Sequence, residues 1–497
     1  MRTFELFIDG AWRPARSGGT YGSINPADEE VWAHASAAGA DDVDDAVAAA
    51  RRSFDQGVWK AKSREERAAV LRRIGERLVD RQEELAEVEV RDGGGTFRKA
   101  NMADIPASMQ TFGYFADLIE ATPEEREDAE FIPVESRNLV VKQPFGVVAA
   151  ITPWNFPLAA AAWKVAPALA AGCSIVLKPS PLTPASTLLL AEVAAECGVP
   201  AGVFNVVVGP SNELGAQLVS HPGIDKIAFT GSTRVGQDVM RIAAQNLKAV
   251  TLELGGKSAN ILLDDANLDG AIRGALFATF FHQGQICQSG TRLLVHRRIV
   301  AEVTERVVEE ARRIAIGDPM DLMTTFGPLV SDRQRATVER YVALGREAGA
   351  RCLLGGRRPE AFGKGYFYEP TIFDHVTNDM QVAREEIFGP VVCIIPFDTD
   401  DEAVAIANDS LYGLAGAVWT ADIDRGLAMA RRIDAGTIWL NDYHLLNPKY
   451  PFGGFKQSGF GRELSLEGLS MYQQTKHIHI GRPSGLDEKI YYNLVID

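Results

Sequence analysis

Six short segments of this sequence carry side chains able to do chemistry. Cys287 stands in FFHQGQICQSG (280–290), after an apolar helical run and before a predicted strand over 291–296. Gly284 and Gly290 put it on a turn that a ligand can approach closely, and a thiol there can act as a nucleophile. A buried core cysteine is the commoner fate of the residue type, but Gln283, Gln285, Gln288 and Ser289 are unusually polar company for a core position. Glu253, in TLELGGKS (251–258), closes an apolar run. Burial there would raise its pKa toward general-base values, although a solvated glutamate before a Gly-Gly turn fits the same letters.

Asn155, in TPWNFP (152–157), is an amide donor on a proline-stiffened loop, suited to an oxyanion hole or simply to a turn. Lys178, in LKPS (177–180), ends a predicted buried strand, so its charge either reaches into the crevice above the sheet or snorkels to solvent. In FTGSTRVG (229–236), Gly231 and Ser232 stand between strand and helix, the layout of an anion site at a helix N-terminus and also of ordinary capping. It is not the G-x-G-x-x-G fingerprint. Glu386 and Phe388, in EEIFGP (385–390), precede another strand.

The elements that must position these residues are those of an α/β protein. With 497 residues, 46% hydrophobic and 24% charged, the chain has globular composition and room for two to four domains. A net charge of −15 and no basic stripe argue against a nucleic-acid partner. Five cysteines, at 173, 197, 287, 352 and 393, include no C-x-x-C pair. Neither a disulfide framework nor a zinc or other metal site is therefore expected, and the compartment is read as reducing and cytoplasmic. The start, MRTFELFIDG, lacks the apolar run of a signal peptide. One stretch, 145–172, has a single charge, Lys164, but Pro153, Pro157 and Pro167 interrupt it. It reads as strand, loop and helix rather than a membrane span.

The first 120 residues read as mostly helical after a short β start, with a capping box at Ser63 and Glu66. From 147 onward, short β runs at 147–151, 174–177, 204–208, 226–229 and 249–252 alternate with helical segments such as 184–197 and 212–219. That alternation predicts right-handed βαβ units and a parallel sheet, which binds ligands at the carboxyl ends of its strands. A second α/β stretch runs from 258 to about 395, followed by helices through 436. The polar run at 122–130 reads as an exposed connection, 138–142 as a strand, and the alternating tail (HIHI, then IYYNLVI) as a strand that needs an external partner edge.

Taken together, TPWNFP, the lysine of LKPS, FTGSTRVG, LELGGKS, GQICQSG, EEIFGP and PFGGFKQSG resemble, in that order, the NAD(P)-dependent aldehyde dehydrogenase superfamily, hydrolytic type, from about 7 to 476. The 34 residues from Glu253 to Cys287 fit its pattern. The resemblance implies two Rossmann-like parallel-sheet domains and a small β oligomerisation extension. The NAD(P)-binding domain would span 1–123 and 143–254, the catalytic domain 255–471, and the oligomerisation strands 124–142 and 472–497, in a homodimer or homotetramer.

It further implies that Cys287 attacks the aldehyde, that Asn155 and the Cys287 amide hold the oxyanion, and that Glu253 activates the hydrolytic water. Lys178 and Glu386 would bond ribose hydroxyls, and Ser180 would sit beside that lysine. Gly231 and Ser232 would face the pyrophosphate, and Trp154 and Phe388 would line the dinucleotide cleft. Phe156, Trp163, Phe281 and Phe452 match the substrate funnel. Pro181 stands where many NAD-preferring relatives carry a glutamate, so NAD is the expected cofactor with NADP possible. No arginine or lysine occupies the matched funnel positions, which points to an apolar aliphatic or aromatic aldehyde. A semialdehyde or betaine-aldehyde type is the alternative within the family. A coenzyme-A-acylating enzyme on the same fold and a catalytically idle family member are further alternatives, and a cofactor-independent cysteine hydrolase stands outside the class.

Overall fold

The structure is a computed structural model that describes residues 1–130, 136–211, 213–481 and 489–495. Five short strands between Arg2 and Ser36 precede the first helix, a richer β start than the sequence suggested. Helix Arg64–Asp80 begins at the expected capping box: Ser63 Oγ accepts from the Glu66 N–H at 3.2 Å, and Glu66 Oε2 accepts from the Ser63 N–H at 2.7 Å. Its Val70, Leu71, Ile74 and Leu78 face the core.

The first large sheet runs, edge to edge, Gly459–Phe460, Ala249–Glu253, Lys226–Thr230, Val147–Ile151, Ser174–Lys178, Phe204–Val206, Leu6–Ile8 and Ala11–Arg13. The five strands from Ala249–Glu253 through Phe204–Val206 are parallel. Being covered on both faces, they are buried almost throughout. The chain winds outward one way through 174 and 204, then the other way through 226 and 249. Strand order therefore reverses between Val147–Ile151 and Lys226–Thr230, the position where such sheets open a crevice for ligands. Asn155, Lys178, Gly231 and Glu253 all lie at or just beyond the carboxyl ends of these strands.

The second sheet runs Arg351–Leu354, Thr371–Asp374, Val391–Phe397, Arg292–His296, Ala259–Leu262, Ala415–Trp419 and Thr437–Leu440, parallel except for the first pair. The stretch expected to be helical through 436 thus contains a strand, Ala415–Trp419. All five of its residues are buried, and a doubly covered strand of small residues shows no alternation to betray it. After the second sheet the chain returns to the first. Phe460 pairs with Leu252 and Gly459 with Glu253, while Leu469 and Tyr472 join the first core.

A third sheet is antiparallel: Glu125–Glu130, Ser136–Pro144 and Gln473–Gly481. HIHI lies in its last strand. The expected strand over IYYNLVI is instead a 3-10 turn, Ile490–Leu494, closed by Tyr492 N–H to Lys489 O at 2.8 Å. The rest of the expected tail strand, 482–488 and 496–497, lies outside the described residues. Among the described residues no helix is long and apolar enough to cross a membrane.

Candidate active site

Cys287 follows a strained turn. Helix Leu268–Phe280 ends, and His282 and Gln283 take φ of 49° and 56° before Gly284 at 70°. Two consecutive non-glycine residues in the left-handed region cost of order 1–3 kcal/mol each, and such strain persists where surrounding packing demands it. The thiol is half-buried against Leu414, Phe452, Leu464 and Trp163. Burial, then the carboxylates of Glu386 and Glu253, push its pKa well above that of a free thiol. The Cys287 backbone is gripped closely. A Cβ built on Gly256 would lie 2.3 Å from the Cys287 carbonyl oxygen, so only glycine lets the two segments meet.

Glu253, last residue of its strand, is 4% exposed, and neither carboxylate oxygen has a hydrogen-bond partner among the described residues. Burial and the nearby Glu463 raise its pKa well above the usual range, while Lys164 and Arg462 oppose them. Lys164, itself fully buried, is ion-paired with Glu463. A buried carboxylate left without donors is poised to take a proton.

Asn155 follows Thr152, whose N–H bonds to the Lys178 carbonyl, and it precedes helix Pro157–Ala171. Its Nδ2 donates to the Gln285 carbonyl, two residues before the cysteine, at 2.8 Å. One N–H is thereby fixed, and the second remains for an oxyanion.

Lys178 is 6% exposed, and burial alone pulls its pKa down to about 8. Among the described residues its one hydrogen bond is a 3.3 Å contact with the adjacent Pro179 carbonyl. A buried ammonium so poorly satisfied at the end of a parallel strand suits the hydroxyls of a dinucleotide. Glu386, half-buried and pushed up to about 7 by burial, accepts from the Gly256 N–H at 2.9 Å. Phe388 has φ 58° and meets Trp154 edge-on, centroids 5.1 Å apart. Ser232 is the exposed N-cap of helix Thr233–Ala244, its Oγ accepting from Val235 N–H at 3.4 Å. Gly231 packs on the Phe229 ring and donates to the Glu253 carbonyl at 3.0 Å. Ser180 accepts from Leu182 N–H, and Pro181 beside it is half-buried. Buried cation, carboxylate, ring pair and helix terminus are thus a donor set that fits a dinucleotide.

The chain matches the aldehyde dehydrogenase family over residues 12–478. The chain belongs to that family. Family membership makes it an oxidoreductase acting on aldehydes. It is 44% identical to the betaine aldehyde dehydrogenase of Bacillus subtilis over 481 residues, 95% of this chain and 96% of that protein. Its structure resembles that of betaine aldehyde dehydrogenase from Staphylococcus aureus in complex with NAD+, with a TM-score of 0.95, 38% identity, and coverage of 97% and 95% of the two chains. The NAD+ complex of an aldehyde dehydrogenase from Bacillus cereus superposes with a TM-score of 0.94 at 42% identity, covering 96% of each.

In this dehydrogenase the four expected funnel residues form two aromatic contacts. Phe156 and Phe281 lie 6.4 Å apart, and Trp163 and Phe452 lie 5.3 Å apart. Sequence reasoning missed Phe277 and His444, which join Phe281 with centroids at 5.0 and 5.9 Å. His444 also meets Gln288 through Nδ1 at 2.9 Å. Phe277 was legible as one helical turn before Phe281. His444 gave no signal, because 156 residues and a loop separate it from Gln288. Lys164 and Glu463 were likewise missed. A lone lysine in an apolar helix did signal a buried partner, but nothing in the letters said which.

Proposed function

We propose that this enzyme oxidises an apolar aliphatic or aromatic aldehyde to its carboxylic acid with NAD+ as acceptor, through a covalent intermediate on Cys287. The observation that carries the reading is a half-buried thiol beside a buried carboxylate with no hydrogen-bond partner among the described residues. The Cys287 sulfur, once deprotonated, adds to the aldehyde carbon. The resulting oxyanion takes the free N–H of Asn155 and the Cys287 backbone N–H. A bound dinucleotide supplies the acceptor for the electron pair of the aldehyde C–H bond. Glu253 then takes a proton from water as its oxygen attacks the thioester carbon, and the Cys287 sulfur departs as thiolate.

Lys178 and Glu386 hold ribose hydroxyls, with Ser180 and Pro181 beside them. Gly231 and Ser232 present their helix terminus to the pyrophosphate, and Trp154 and Phe388 flank the dinucleotide. Residues 1–123 and 143–254 then act as the cofactor domain and 255–471 as the catalytic domain. The aromatic lining, Phe156, Trp163, Phe281 and Phe452, carries no countercharge for an acidic substrate. A quaternary ammonium aldehyde is the second reading, favoured by the relatives named for betaine aldehyde and by the attraction of cations to ring faces.

The chain is read as a homodimer or homotetramer, because Gln473–Gly481 is an exposed edge strand carrying Ile478 and Ile480 and Thr437–Leu440 is an open edge of the second sheet. A reducing cytoplasm keeps the thiol in its working state.

The test is reduced-nicotinamide absorbance with hexanal, benzaldehyde and betaine aldehyde, using NAD+ and NADP+ in parallel and Cys287→Ala as control. Turnover of the first two that vanishes in the control supports the reading. Turnover of betaine aldehyde alone would transfer it to the second. No turnover with any of the three, together with cofactor-free cleavage of esters, would sink both.

A further inference from the structure

Asn155 also lines a small cavity, shared with Glu89, Lys99, Asp104 and His282. These four ionisable residues are between 1% and 6% exposed, and the reaction outlined above uses none of them. Lys99 Nζ donates to Asp104 Oδ2 at 2.5 Å and to the Asn155 backbone carbonyl at 3.4 Å. It also lies 4.1 Å from the ring centroid of Phe156, the next residue in the chain. Asp104 Oδ1 and His282 Nε2 have no hydrogen-bond partner among the described residues. Burial pushes Glu89 up to about 8 and raises Asp104 as well, with Lys99 opposing the rise in both.

A local irregularity of the chain makes this pair possible. Helix Phe97–Lys99 passes into a π-helical turn, Ala100–Asp104, before helix Ile105–Ala121. In a regular α-helix, residues five apart point about 140° away from each other. A turn closed by i→i+5 bonds brings them to one face. Here the Ile105 N–H bonds to the Ala100 carbonyl. Gly95 clears the space: a Cβ there would lie 3.3 Å from both the His282 ring and Lys99 Cδ. A buried ion pair gives little net stability against well-packed apolar residues. A π turn and a glycine spent on placing one therefore point to a task other than stability.

We propose that Lys99, fixed by Asp104 across the π turn, is a positioning residue that anchors the Asn155 backbone so that its side-chain amide keeps its aim. Asn155 is then held at two points. Its amide is tied to the Gln285 carbonyl and its own carbonyl to Lys99, while the ammonium over Phe156 stops the loop from sliding. The inference rests on the reading of Asn155 as oxyanion donor.

The decisive experiment pairs Lys99→Met with Asp104→Asn, removing both charges together so that neither is left buried alone, in wild-type and Asn155→Ala backgrounds. In the wild-type background kcat should fall on the order of 10-fold, less than the ~100-fold of a 1 Å misplacement, with the dissociation constant for NAD+ unchanged. In Asn155→Ala the pair should cost less than a further twofold, a non-additivity that a merely structural role would not produce. Lys99→Arg, which keeps the charge, should retain kcat within threefold. Equal losses in both backgrounds, or wild-type kcat in the paired variant, overturn the inference. So does a paired variant that no longer folds, which would assign the pair to stability. Full activity in Asn155→Ala alone would instead remove the oxyanion reading and this inference with it.

Discussion

Gly256 separates two roles that the site places side by side. A Cβ added at Gly256 would stand 2.3 Å from the Cys287 carbonyl oxygen and 3.3 Å from Leu414 Cβ. An ordinary carbon–oxygen contact needs about 3.3 Å. Gly256→Ala must therefore displace one backbone segment by about 1 Å, and the obstacle is a peptide group, not a mobile side-chain end. A misplacement of that size costs about 100-fold in rate, or ~2.7 kcal/mol of transition-state stabilisation.

At the neighbouring Gly255 the added carbon would meet Glu386 Oε2 at 2.3 Å, and a glutamate can rotate away. Gly255→Ala should thus forfeit the Glu386 bond to Gly256 N–H and weaken the cofactor site while sparing the nucleophile. The assay is steady-state kcat and KM for each variant, with NAD+ titrated separately and Tm recorded. The expected pattern is a kcat fall of about 100-fold in Gly256→Ala with NAD+ binding retained, and a raised KM for NAD+ in Gly255→Ala with kcat within a few-fold. A folded Gly256→Ala enzyme with kcat within threefold of wild type would refute the reasoning.

Two further outcomes follow from the same geometry. Glu253→Gln should slow turnover by about 100- to 10,000-fold and show no burst of reduced nicotinamide in rapid mixing, because the thiol keeps its proton; a full burst of one per site would confine Glu253 to thioester hydrolysis. Lys178, pulled down to about 8, is charged below that pH and neutral above it, so KM for NAD+ should rise between pH 7 and 9, and Lys178→Met should flatten the profile.

Much of this site was legible in the letters, because its residues sit where the chain changes character. Asn155, Lys178, Gly231 and Glu253 mark the ends of parallel strands, and apolar runs broken by Gly, Pro or Asn announce such ends. The capping box at Ser63 and the five parallel strands of the first sheet appeared for the same reason. What escaped detection was held by tertiary contact alone. Ala415–Trp419 is too small and too buried to alternate. His444 meets Gln288 only after both loops are placed, and Glu463 finds Lys164 across 299 residues. The π turn at Ala100–Asp104 has no sequence mark, since a helix with one extra residue per turn is written in the same helix-forming letters.

The charges of the site add one prediction about its first step. Burial is the leading cause raising both Cys287 and Glu253, so it favours the thiol and the carboxylic acid over their charged forms. Passing the thiol proton to Glu253 requires that Glu253 has already lost its own. The resting site must therefore release one proton before attack, and activity must rise with pH. Alkylation of Cys287 by iodoacetamide should accelerate about tenfold per pH unit from below neutrality until the release is complete. Glu463 is the leading charge that raises Glu253, and Lys164 opposes it. Glu463→Gln removes the first and frees the second to pair with Glu253. Both effects lower the Glu253 pKa, so the rise should move to lower pH. The measurement is alkylation rate against pH for wild type and Glu463→Gln, with intact mass confirming a single labelled cysteine. A rate independent of pH between 6 and 9, or a shift to higher pH in Glu463→Gln, would show that another group holds the proton.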